Sequence, residues 1–159
     1  MAEYILTEIE EGIDKDAVAQ ELIRKLKVTD INLKTLHRNL TGGETNWYQM
    51  HDMLNQYHWR ICDFEDMIVE NLLGLGIKDK SIKGSEDILD CIPYTISEAF
   101  QLVKAMFDEL LQLSSTLREV MELPTAVLPV FDNLEGFLHI ETNYKITQAL
   151  GGVTNVQNN

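Results

Sequence analysis

Cysteine is nearly absent from this chain: Cys62 and Cys91 are the two it has, too few for a disulfide framework. Both fall in stretches that read as helical, so the expectation is two buried, reduced thiols in a cytoplasmic protein. Proline is as scarce, with three residues. No apolar run approaches the roughly 20 residues that a membrane-spanning helix needs. Basic side chains are outnumbered, 13 Lys and Arg against 26 Asp and Glu, for a formal charge of −13. Nucleic-acid binding needs clustered Lys and Arg, and the longest basic stretch, Arg24-Lys25-Leu26-Lys27, reads as one solvated helix face. DNA is therefore an unfitting partner. The opening Met1-Ala2-Glu3-Tyr4 is acidic and lacks the basic and apolar regions of a signal peptide. An acidic surface concentrates cations, which leaves metal ions as partners that fit the charge.

What is present is helix-forming sequence. The 159 residues, 45% of them hydrophobic, suit one domain with a sizeable core and short flexible ends at about 1–13 and 151–159. The first long helix is expected from about Asp14 to Leu40, capped by Asp14 or Asp16, with Ala17, Leu22, Leu26, Ile31 and Leu36 as its apolar stripe. Thr41-Gly42-Gly43 ends it. The second runs from about Asn46 to Leu73 and stops at Gly74-Leu75-Gly76. A connection from Ile77 to Tyr94 follows, too long for a simple bundle turn. Ile82, Ile88 and Leu89 predict a short helix inside it. The third opens on Thr95-Ile96-Ser97-Glu98, a capping-box pattern, and reaches Leu123 before Pro124. The fourth starts between Thr125 and Pro129 and ends at Leu150, with Gly151 as cap. Strand periodicity is missing throughout. The fold class is all-α: a four-helix bundle of the ferritin-like plan, with a long crossover between helices two and three.

The second helix carries His51, Asn55, Asp66 and Glu70. Each pair is spaced i, i+4, which puts its two side chains on one face. At about 100° per residue both pairs share roughly one stripe, yet Asn55 and Asp66 lie about 16 Å apart along the axis. Metal–ligand bonds are only ~2.0–2.2 Å long, so one ion cannot bridge both pairs within one chain. The midpoint of His51 and Glu70 falls between Arg60 and Ile61, as does that of Asn55 and Asp66. A two-fold axis there would set two copies of the helix antiparallel, bringing His51 and Asn55 of one against Glu70 and Asp66 of the other. Two equivalent sites of imidazole and carboxylate would result, suited to a divalent first-row metal. Asp66 and Glu70 fit a plain solvated helix face equally well.

At these residues the chain resembles the Dps family of mini-ferritins. Met50-His51, Asn55, Asp66, Glu70 and Leu75-Gly76 are similar to that family's second-helix pattern, in which His, Asp, Asp and Glu recur at these spacings before a Leu-Gly or Ile-Gly stop. Leu36-His37 resembles its Leu-His element. The resemblance covers about Asp14 to Leu150, and its specific part runs from His37 to Gly76. It implies that His37, His51 and Asn55 come from one subunit and Asp66 and Glu70 from its two-fold mate. It further implies a hollow homododecamer that binds Fe2+, oxidises it, often with hydrogen peroxide, and stores the Fe3+ product inside. Such a ferroxidase removes the reagents of hydroxyl-radical chemistry. Three departures stand out. Asn55 replaces the usual Asp, His37 and His51 lie two residues further apart than usual, and Arg38 replaces a common tryptophan. The basic tail that some members use on DNA is missing. The competing expectation is a non-catalytic ferritin-like scaffold or stress-interaction protein with a degenerate site.

Other residues have plainer readings. His58 reads as a helix-surface or interface histidine, with a metal or proton-transfer role as the alternative; Trp59 reads as packing near the two-fold axis, with electron transfer beside the metal as the alternative; and His139 reads as structural. Gly136 in the last helix suggests close helix packing, since glycine there costs about 1 kcal/mol against alanine. Met50, Met53, Met67, Met106 and Met121 read as core filler. Glu119, Glu122, Asp132 and Glu135 fit either a solvated acidic patch or the lining of an iron-entry pore. Glu135 to His139 is spaced by four, so the Glu-x-x-His motif of an ordinary ferritin site is not formed there.

Overall fold

The computed structural model describes residues 14–43, 45–80 and 87–152. Four α-helices form among the described residues: α1 (Lys15–Asn39), α2 (Trp47–Gly74), α3 (Ile96–Val120) and α4 (Leu128–Ile140). The described residues form no strand, so the all-α class stands. None of these helices is long and apolar enough to cross a membrane.

Local chemistry sets the ends. The Asp14 carboxylate accepts from the amides of Asp16 and Ala17 at 3.1 and 3.4 Å, relieving unpaired donors of the first turn of α1. Gly76, at φ 86°, takes the left-handed position after α2 while the Ile77 amide closes back onto Leu72. Thr95 and Glu98 form the expected reciprocal cap on α3, and those bonds hold the Glu98 carboxyl below its ordinary pKa. Two ends differ from expectation. Helix α3 stops at Val120, because Met121 is already extended. Beyond α4 the chain continues as π-helical turns, Glu141–Ile146 and Gln148–Gly152, so Gly151 lies inside the last turn rather than capping it. Thr142 and Thr147 hydroxyls donate to the carbonyls of Leu138 and Thr142 at 2.7 and 2.5 Å, competing there with the main-chain pattern.

The crossover runs alongside α1, and side chains of α1 fix it in order. Gln20 holds Lys78 and Lys80 near the start of α1. Arg24 and Lys25 take Asp87. Buried Asn32 brackets the Asp87 carbonyl and the Leu89 amide at 2.8 and 2.9 Å. Tyr94 then bridges Leu40, with main-chain bonds of 3.0 and 2.8 Å to Asn39 and Thr41. This progression carries the chain from one end of the bundle to the other, so α3 begins where α2 begins. Residues 87–95 contain no helix. The predicted short helix is thus missing over Ile88 and Leu89, whose polar neighbours bond to α1 instead, and Ile82 lies outside the described residues.

The core is built from one stripe of each helix. Leu22, Leu26, Leu33 and Leu36 are fully buried, packed with Leu54, Ile61, Ile68, Phe100, Phe107 and Phe131. Truncating one such leucine to alanine costs about 2–5 kcal/mol. Ile31, expected on the stripe, is 41% exposed. Five residues from Leu26 rotate it about 140° away from that side chain, past the edge of the buried face.

Candidate metal centre

The end of α1 and the first turns of α2 meet at two histidines. The His37 and His51 rings lie 3.9 Å apart between centroids, tilted by 31°. His37 Nδ1 sits 3.0 Å from the His51 carbonyl oxygen. That oxygen can only accept, so Nδ1 carries the proton and the neutral ring keeps its lone pair on Nε2. The Trp47 ring stacks on His51 at 4.7 Å and 22°. Its indole N–H donates to the Leu40 carbonyl at 3.1 Å. Burial, and after it the neighbouring His37, lower the His51 pKa, which favours the neutral form that can ligate a metal.

Asn55, one turn on, is half-buried, whereas Asp66 and Glu70 are exposed. Because α2 is unbroken from Trp47 to Gly74, the rise of ~1.5 Å per residue holds, and the two carboxylates stand about 22 Å or more along the axis from His51. No three described His, Cys, Asp or Glu side chains of one chain gather to hold a metal ion. The structure therefore brings His37 and His51 together and leaves Asp66 and Glu70 apart from them. The stripe of His51, Asn55, Asp66 and Glu70 lies roughly 130° around the helix from the buried stripe of Leu54, Ile61 and Ile68. Trp59, on that outer side, is 59% exposed.

Other expected residues land elsewhere. His58 is buried, not on the surface: its Nδ1 makes a short contact with the Asp30 carboxylate, between α1 and α2. Cys62 is half-buried on α2, and burial followed by the carboxylates of Asp30 and Asp66 raises its thiol pKa, so it is no ready nucleophile. Cys91 is exposed and outside any helix, against the expectation, because the crossover bends there. Both thiols are free. Among the described residues Gly136 is not closely packed, since a Cβ placed there meets none of them within 4 Å. Met67 is 38% exposed, while Met50, Met53, Met106 and Met121 pack on the core. Asp132 and Glu135 are held by Arg118, and the Ser114 hydroxyl donates to Glu135 at 2.5 Å. That pairing neutralises part of the acidic patch.

No protein-family model matches the chain, and no curated protein or solved structure does either. Three features escaped the sequence reading. The Asp30 partner of His58 and the Glu141 acceptor of the Tyr57 hydroxyl (2.5 Å) join segments 28 and 84 residues apart, and no local pattern signals them. Trp47 was legible: it precedes His51 by four, the spacing that puts two side chains on one helix face.

Proposed function

We propose that this chain is a subunit of a Dps-type, ferritin-like homo-oligomer that binds ferrous iron between two-fold-related subunits, oxidises it and retains the ferric product. The observation that carries this reading is the His37–His51 pair, with its rings 3.9 Å apart and the His37 tautomer fixed by the His51 carbonyl. An imidazole whose Nδ1–H is held by a carbonyl is the usual form of a metal-ligating histidine. That ring and the neighbouring His51 imidazole supply half of a coordination shell. Asp66 and Glu70, exposed on the same stripe of the same unbroken helix, supply the other half to a second copy turned about an axis near Arg60 and Ile61. Exposed Trp59, near that axis, gives the contact an apolar centre.

Ferrous iron is the substrate. His37 and His51 set its position, and the carboxylates of Asp66 and Glu70 favour the higher charge of the product. With hydrogen peroxide as oxidant, two ferrous ions each give up one electron, and peroxide with two protons becomes two waters. The homododecamer, the interior store and protection from peroxide are what the family resemblance implies.

Mixing two defective variants tests the shared site. His37→Ala/His51→Ala lacks the imidazoles, and Asp66→Ala/Glu70→Ala lacks the carboxylates. Each alone should lose peroxide-dependent iron oxidation. After random reassembly of equal amounts, half the two-fold pairs are mixed and each has one intact site, so about a quarter of the wild-type capacity should return. Retained activity in either variant, or no recovery in a mixture shown to contain mixed pairs, would count against the proposal.

Asn55 favours a second reading, a ferritin-like scaffold without the chemistry. A neutral amide removes one negative charge where the resemblance implies Asp. Under this reading the wild-type chain assembles but leaves iron oxidation at the protein-free rate, and Asn55→Asp restores it.

A further inference from the structure

The metal reading leaves open how His51 is held, since its own ring is only partly buried near the start of α2. Resting on that reading, we propose that Trp47 is a positioning residue for His51: an indole anchored to the end of α1 that fixes the plane of the imidazole.

The chain of contacts is continuous. The crossover residue Tyr94 accepts from the Thr41 amide at 2.8 Å and donates to the Asn39 carbonyl at 3.0 Å, which pins Leu40 where α1 ends. The Leu40 carbonyl, left without a helical donor by that termination, accepts the indole N–H of Trp47 at 3.1 Å. The face of the same indole stacks on His51 at 4.7 Å and 22°. Trp47 also packs against the edge of the core, which limits its own rotation. The four-residue spacing keeps Trp47 and His51 on one helix face. An imidazole held this way loses less rotational freedom on taking a metal. Outer groups that orient a ligand in this fashion are typically worth 10–100-fold in affinity.

Cobalt(II) is the probe, because its visible absorption reports ligand geometry as well as occupancy. Full-length assembled protein is titrated for the wild type, Trp47→Phe, Trp47→Leu and His51→Ala. Trp47→Leu removes stacking and anchor together, and its Kd should rise roughly 10- to 100-fold with shifted cobalt bands. Trp47→Phe keeps a ring and loses the N–H, so it should fall between that variant and the wild type. If His51→Ala binds cobalt as the wild type does, the metal reading fails and this proposal with it. If His51→Ala is impaired while both Trp47 variants keep wild-type Kd and bands, the positioning role alone is overturned, whatever their melting points. Should Trp47→Leu not fold, Trp47→Phe decides: weaker binding with shifted bands upholds the anchor, and wild-type binding overturns it.

Discussion

His37 donates from Nδ1 to the main-chain carbonyl of His51 across 3.0 Å, tying the last turn of α1 to the second turn of α2. The bond does two jobs with one ring. It closes the corner between two antiparallel helices, and it leaves Nε2 as the nitrogen with a lone pair. Under the proposed function, His37→Ala should weaken anaerobic ferrous-iron binding by more than the roughly 10–100-fold that loss of an outer orienting group costs. Isothermal titration of ferrous iron into the full-length protein measures it. Unchanged affinity in a folded variant would reduce His37 to a corner fastening.

His51 should also leave a mark on the pH dependence of stability of the metal-free chain. Burial first, then the His37 imidazole, hold its pKa below that of an ordinary free imidazole, with Asp52 opposing. The unfolded chain thus takes up this proton at higher pH than the folded chain. Between the two values the unfolded state binds more protons, so stability rises with pH there and falls as pH drops through that window. Above the free-imidazole value the group adds no slope. Urea midpoints measured between about pH 7 and pH 5 should decline less steeply in His51→Gln than in the wild type. Parallel slopes would show that folding does not alter the His51 proton.

The four helices were legible because their ends carry short-range chemistry: Asp14 before α1, Thr95 with Glu98 before α3, and glycine at position 76 after α2. The stripe of His51, Asn55, Asp66 and Glu70 was legible for the same reason, since helical spacing alone sets it. The crossover was misread. Ile88 and Leu89 suggested a helix, but Asn32, 57 residues before Leu89, takes the backbone bonds that a helix would have used. Asp30 was passed over because its meaning depends on His58, 28 residues later. Ile31 was placed on the buried stripe by residue type, although its spacing from Leu26 turns it outward.

Gly136 offers a test of what covers α4. Glycine in a helix interior costs about 1 kcal/mol relative to alanine, and here an added Cβ meets nothing within 4 Å among the described residues. Gly136→Ala should stabilise the protein by about that amount, raising Tm by roughly 2–4 °C for a domain of this size. Differential scanning calorimetry reads it directly. A lower Tm would mean that another molecule, such as a neighbouring subunit, presses on that position in solution.

The buried Asp30–His58 contact calls for a paired test, because one deletion alone gives a misleading value. The two side chains are 12% and 11% exposed, and Lys34 lies 3.6 Å from the same carboxylate. Asp30→Leu leaves the imidazole facing α1 without its acceptor, at a cost of about 1–3 kcal/mol. His58→Leu leaves the carboxylate with Lys34, itself partly exposed, and so should cost less. Removing both partners discards the polar contact as a unit and places apolar side chains in a largely buried seam, which is often nearly neutral. Asp30→Leu/His58→Leu should accordingly be less destabilised than the sum of its parts, with a coupling of ~0.5–3 kcal/mol in a denaturant cycle. Strict additivity would mean that the contact contributes nothing to stability, and that α1 and α2 are held at this level by the leucines beside it alone.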